Sequence, residues 1–143
     1  MVDSGFRYLD HVTDLVIEAT GSTIENAFEN SARGLVHAMF DTHRFSPALK
    51  LLIEATGHDM ENLLYNWLEK VLLLVLVEKI VVSNFKVKII ENQGTYSIIG
   101  EAMGEKIDLD KHRYKIEIKG VTYHEMEINQ HSGGVTVKFM LDL

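Results

Sequence analysis

Two short acidic stretches near opposite ends of the chain hold the residue types best suited to chemistry. Asp10-His11-Val12-Thr13-Asp14 is the densest polar cluster. Aspartate supplies the anionic oxygen that a hard cation takes, and a neighbouring His or Thr can orient it. The same residues also suit a plain turn, in which Asp10 and Thr13 satisfy local backbone groups. At the other end, Asp142-Leu143 sets a side-chain carboxylate one residue from the terminal carboxylate. Like charges this close repel, and a divalent cation relieves the repulsion; a frayed, solvated end is the alternative. If the last strand pairs beside the first, Asp14, Asp142 and the Leu143 carboxylate converge as an oxygen-only site, suited to calcium, magnesium or manganese rather than zinc. A third stretch, Lys119-Gly120-Val121-Thr122-Tyr123-His124, is expected to bulge at Gly120. A bulge there would present Tyr123 and His124 to a partner, although a cross-strand pair accounts for the pattern equally well.

Other reaction centres find little support. The absence of cysteine excludes disulfides, thiolate zinc sites and cysteine nucleophiles, and fits a reducing compartment. His37, His43, His58, His112 and His131 are scattered, with no H-x-x-x-H or H-E-x-x-H pair. Neither a G-x-x-x-x-G-K-[ST] loop nor a G-x-S-x-G elbow is present, and Gly100 to Gly104 reads as a turn with no helix start to receive phosphate. Twenty-one acidic against fourteen basic residues give a formal charge of −7. That balance opposes stable direct binding of nucleic acid and favours a cation or a basic protein surface. The start of the sequence lacks the basic and apolar segments of a secretory signal, and the apolar run Val71 to Val77 is too short to cross a bilayer. No membrane contact is expected, and the cytoplasm is the expected compartment.

The elements that must position these residues follow from periodicity. The 143 residues fit one domain spanning residues 1–143. Residues 6–20 alternate with period two, as one strand does, and Gly21 turns the chain. Ser22-Thr23-Ile24-Glu25 has the form of a capping box for a helix over residues 23–40, with Gly34 as a weak point inside it. Residues 49–56 form a short strand. Asp59 is the expected N-cap of a second helix, whose wide apolar face is Leu63, Leu64, Trp67, Leu68, Val71, Leu72 and Val75. From Ile80 onward, alternation and turn residues predict strands, with a turn at Asn92-Gln93-Gly94, a charged loop over 104–112, a long extended stretch over 114–128, and a last strand over 135–141 entered through Ser132-Gly133-Gly134. In that last strand Val135, Val137, Phe139 and Leu141 share one face, which leaves Asp142 on the other. The expected class is α+β, a mainly antiparallel β-sheet with two α-helices packed on one face.

On these residues the sequence resembles the archease family. The matching pieces are Leu9 to Asp14, Ser22 to Asn30, Glu61 to Leu68, Gly104 to Asp108, Lys111-His112, Lys119 to His124 and Phe139 to Leu143, in family order along the whole chain. The resemblance implies an accessory protein of the tRNA-splicing RNA ligase RtcB, which joins RNA ends through a GMP-linked histidine and uses metal ions. Such a protein promotes guanylation of the ligase and its repeated turnover. The family's metal site carries over to Asp14, Asp142 and the Leu143 carboxylate. Asp10, His11, Lys119, Tyr123 and His124 are the residues expected to flank the ion or face the partner. Where the family usually has His-Thr-Ala-Asp, this chain has His11-Val12-Thr13-Asp14, so the histidine and aspartate keep their spacing while the residues between them differ. Two other functions remain open: a small metal-dependent hydrolase using the same carboxylates with His11 or His124 as general base, and a general chaperone or RNA-associated module.

Overall fold

In a computed structural model, which describes residues 4–9 and 13–143, the first alternating stretch folds back on itself. Gly5–Leu9 (β1) and Asp14–Gly21 (β2) pair antiparallel, with Phe6 opposite Ala19 and Leu9 opposite Val16. The one strand expected over residues 6–20 is therefore two. Phe6 and Tyr8 share a face with Ala19 and Ile17, because directly opposed residues of a ladder project to the same side.

The first helix, Ile24–Met39 (α1), is capped one residue later than a Ser22–Glu25 box would place it. Thr23 is the N-cap, its Oγ1 accepting the Asn26 N–H at 3.0 Å, while Asn26 Oδ1 accepts the Ser22 N–H at 3.2 Å. Thr23→Ala should cost about 1 kcal/mol of unfolding free energy and Ser22→Ala much less. Urea titration of the two variants checks this, and equal losses would return the cap to Ser22. Gly34, a poor helix former, sits where β1 crosses the helix: an added Cβ would lie 3.1 Å from the Phe6 ring, and the Tyr8 hydroxyl donates to the Gly34 carbonyl at 3.1 Å. Burial pushes that hydroxyl's pKa up to about 12.

Leu49–Gly57 (β3) leads into Met60–Leu76 (α2), where Asp59 caps by accepting the Asn62 N–H at 2.7 Å. All seven residues of the expected apolar face are buried. Ile80–Asn92 (β4) and Thr95–Lys106 (β5) then form a hairpin through Gln93-Gly94, both at positive φ, which the type I′ turn requires. The loop expected from Gly104 thus begins only after Lys106. Gly100 to Gly104, expected as a turn, runs inside β5 instead. A Cβ on Gly100 would lie 2.5 Å from the Trp67 ring, and one on Gly104 would lie 2.8 Å from Ile80, so these glycines make room for the core rather than bend the chain. Gly120–His131 (β6) and Gly134–Asp142 (β7) complete the fold.

Strands pair antiparallel in the orders β1-β2-β7-β6 and β3-β5-β4. The α+β class and the antiparallel pairing are as expected, with the strands shared between two sheets. Each helix contacts both sheets, α1 through β2 and β4, α2 through β3 and β6. Trp67 lies at their centre, fully buried, its Nε1–H donating to the Phe28 carbonyl at 3.1 Å and so joining α2 to α1. No described helix is long and apolar enough to cross a membrane.

Candidate metal centre

The first and last thirds of the sequence meet along β2 and β7. Eight consecutive pairs run from Gly21–Val135 to Asp14–Asp142, so the ladder ends with the two aspartates opposed. Leu141 and Phe139 are fully buried on the core side, so the aspartates occupy the other face. Asp14 is half-buried and Asp142 exposed. Thr13 Oγ1–H donates to Asp14 Oδ2 at 3.3 Å. Like charges directly opposed in a ladder repel.

On the other side of β7 the row continues into β6. Gly120 pairs with Asp142, and the Lys119 N–H donates to the Asp142 carbonyl at 2.8 Å. The row Asp14–Asp142–Gly120 thus crosses three strands. Among the described residues, a Cβ on Gly120 would meet nothing within 4 Å. The bulge expected at Gly120 lies further on. The register breaks between Thr122 and Glu127, with Glu125 at positive φ, so the loosened residues are 123–126.

Tyr123 and His124 fall in that bulge, outside the paired row. The Tyr123 ring stacks on Tyr65 of α2 at 4.3 Å, its hydroxyl accepts from Asn62 Nδ2 at 2.6 Å, and the ring stays half-exposed. The exposed His124 donates its backbone N–H to Thr122 Oγ1. Asp10 and His11 lie outside the described residues. Among the described residues no three His, Cys, Asp or Glu side chains gather as a metal cluster. The row itself contributes two side-chain carboxylates, and Leu143 follows Asp142 directly. Oxygen donors of this kind suit calcium, magnesium or manganese rather than zinc.

A second polar cluster gathers at residues that the sequence marked only as a charged loop and as pieces of the family match. Glu105 on β5 accepts from Lys111 Nζ, from His112 Nε2 at 3.0 Å and from the Ser46 N–H at 2.8 Å. His112 is fully buried, and its Nδ1 accepts the Asp108 N–H, which assigns the ring proton to Nε2. These contacts, with Asp41 N–H to Arg113 and Lys115 N–H to Met39, tie residues 107–118 to β5 and α1 and deliver Lys119 to the carboxylate row. The spacing of Ser46 from Glu105 in sequence hides the cluster from any periodic pattern. Hydrogen bonds from Lys111 and the Ser46 N–H, with a smaller one from His112, hold the Glu105 pKa down to about 2. A carboxylate depressed in the folded state stabilises fully above its unfolded value and loses that contribution as pH falls towards the folded one. The stability gap between the wild type and Glu105→Gln should therefore be fully present at pH 6, shrink from about pH 4.5 downward and vanish near pH 2. Urea midpoints across that range measure it, and a gap independent of pH would remove Glu105 from this role.

Comparison with known proteins follows the same residues. Positions 6–143 match the Archease protein family (MTH1598/TM1083). The chain is 37% identical to Protein archease of Sulfolobus acidocaldarius over 138 residues, covering 96% of this chain and 98% of the relative. It is 38% identical to Protein archease of Pyrococcus furiosus over 129 residues, 90% of this chain and 91% of the relative. The solution structure of Methanobacterium thermoautotrophicum protein 1598 superposes with a TM-score of 0.86 at 37% identity, covering 97% and 99% of the two chains. A crystal structure from Thermotoga maritima, described as an archease and possible chaperone, shares the fold with a TM-score of 0.59 at 14% identity and 94% coverage of each chain.

Proposed function

Since the chain belongs to the archease family, we propose that it is a non-catalytic accessory protein that holds a divalent cation and activates the RNA ligase RtcB, promoting guanylation and repeated turnover. The observation that supports this reading is the register pair Asp14–Asp142, which opposes two carboxylates on the face turned away from the core. Asp14, Asp142 and the Leu143 carboxylate are the proposed ligands, and calcium, magnesium and manganese all suit them. When bound, such an ion supplies positive charge that offsets the negative phosphates of GTP.

The remaining work belongs to the protein's own groups. The β2–β7 ladder fixes the separation of the two aspartates, and the Lys119 N–H anchors the Asp142 main chain. Among the described residues nothing crowds the bare Gly120, which would suit approach of a group from the partner. A formal charge of −7 favours approach to a basic, RNA-binding surface.

Single-turnover guanylation of the cognate ligase with GTP, with and without this protein and across calcium, magnesium and manganese, tests the proposal. Faster guanylation that needs both proteins and a divalent ion is the expected result. Turnover of GTP or RNA by this protein alone would instead support a hydrolase, and an unchanged rate with every ion would reject activation.

A further inference from the structure

The outer edge of β3 is open, and its residues are arranged to pair with a copy of themselves. β3 is hydrogen-bonded to β5 on one side and, among the described residues, has no strand on the other. Asn66 Nδ2 of α2 donates to the Thr56 carbonyl at 2.7 Å, so that carbonyl points away from β5. The β3–β5 register is unbroken from Leu49 to Gly57. With the two-residue period of an antiparallel ladder, Glu54, Leu52 and Lys50 therefore also turn their N–H and C=O groups to the open side.

Leu52 is 62% exposed at the middle of this edge, and Leu73 and Val77 of α2, at 45% and 66%, border it. Two shallow grooves of about 530 and 500 Å³ run between the strand and the helix along these residues. Three large apolar side chains exposed around one unpaired edge mark a contact surface. Natural sheets commonly block such edges with charge, and a charge of one sign would repel its own copy. Here the charges have opposite signs and sit symmetrically, Lys50 two residues before Leu52 and Glu54 two residues after it.

We propose that β3 pairs antiparallel with β3 of a second copy about a two-fold axis at Leu52, joining the two three-stranded sheets into one of six strands. Each Leu52 then faces its counterpart, Lys50 of each copy faces Glu54 of the other, and every pair falls where the backbone groups already point outward. Lys50 gives up little on re-pairing. Its contact with Glu101 is 3.8 Å long between exposed side chains, and Glu54 faces Ile99 rather than a cation across its own sheet.

The carboxylate row lies in the other sheet, so the variants below leave it untouched and the outcome is independent of metal binding. Sedimentation equilibrium should show the mass rising with concentration from 16.3 kDa towards twice that value. Lys50→Glu or Glu54→Lys sets like charges opposite each other twice per dimer and should weaken association about tenfold. The double exchange, Lys50→Glu with Glu54→Lys, should restore it. The chain has no cysteine, so oxidised Leu52→Cys should cross-link as a dimer, the facing Cα atoms being about 5.5 Å apart, whereas Leu109→Cys, an exposed site outside β3, should not. A monomer at every concentration, equal cross-linking at both positions, or a double exchange no better than the singles would each overturn the pairing.

Discussion

Asp142→Asn should abolish stimulation of ligase guanylation while making the metal-free protein slightly more stable. The two effects share one cause. In the β2–β7 ladder Asp142 faces Asp14 with no strand between them, and directly opposed like charges cost about 0.2–1 kcal/mol. Neutralising one partner removes that cost, and for a chain of this size the unfolding temperature should rise by about 1–4 °C in EDTA. With a divalent ion the order reverses. A ligand at a hundred times its dissociation constant stabilises the wild type by about 2.7 kcal/mol. The variant, short of one anionic oxygen, should bind roughly a hundredfold more weakly or worse, given that even residues behind the ligands contribute 10–100-fold. Thermal unfolding of the two proteins in EDTA and in excess calcium or manganese separates these cases. If the variant gains as much from the ion as the wild type does, Asp142 is no ligand and the proposed activation mechanism fails with it.

Trp67→Ala should produce the largest loss of stability in the molecule, about 3–5 kcal/mol. Trp67 is fully buried, touches Phe85 edge-on at 6.0 Å and bonds the Phe28 carbonyl. Its removal leaves a cavity between both helices and β5 and takes away the side-chain bond that joins α2 to the Phe28 carbonyl. Against a total of about 5–15 kcal/mol, that is about a fifth or more of the margin. Gly100→Ala probes the same contact from the opposite side. Its added Cβ would lie 2.5 Å from Trp67 Cη2 and 2.8 Å from Cζ3, in a ring with no room to retreat. Overpacking of this kind costs about 1–3 kcal/mol. Because the two changes act on one space, Gly100→Ala should be far less costly in the Trp67→Ala background, a coupling that a double-mutant cycle in urea would measure. Additive losses would show that Trp67 and Gly100 do not share the site described.

How much of this was legible in the sequence depended on range. The α2 face was readable residue by residue, because its burial follows helical spacing and Asp59 caps it locally. The hairpin of β1 and β2 was not, since apolar residues continue through both arms. Its trace is a phase change, from Phe6 and Tyr8 at even positions to Leu15, Ile17 and Ala19 at odd ones. Gly120 attracted the bulge because glycine is the usual marker, yet the irregular residues include Glu125, a non-glycine at positive φ. The division into two sheets is a matter of long-range pairing, which alternation alone does not encode. For the candidate centre, the carboxylates were visible by type, and their juxtaposition was conditional on pairing between the chain's ends. The Glu105–His112–Lys111–Ser46 cluster stayed hidden because its members come from separate loops and a strand.

The order β1-β2-β7-β6 has a consequence for synthesis. The last of the described strands in sequence order is an inner one, flanked by β2 and β6. While the ribosome is still translating residues 134–142, β2 and β6 lack the neighbour that joins them, whereas β3, β4 and β5 already have all their partners. The nascent protein therefore leaves the tunnel with one sheet able to close and the other waiting. Closing that sheet takes a late insertion that aligns Asp142 with Asp14, a non-local step of the kind that slows folding.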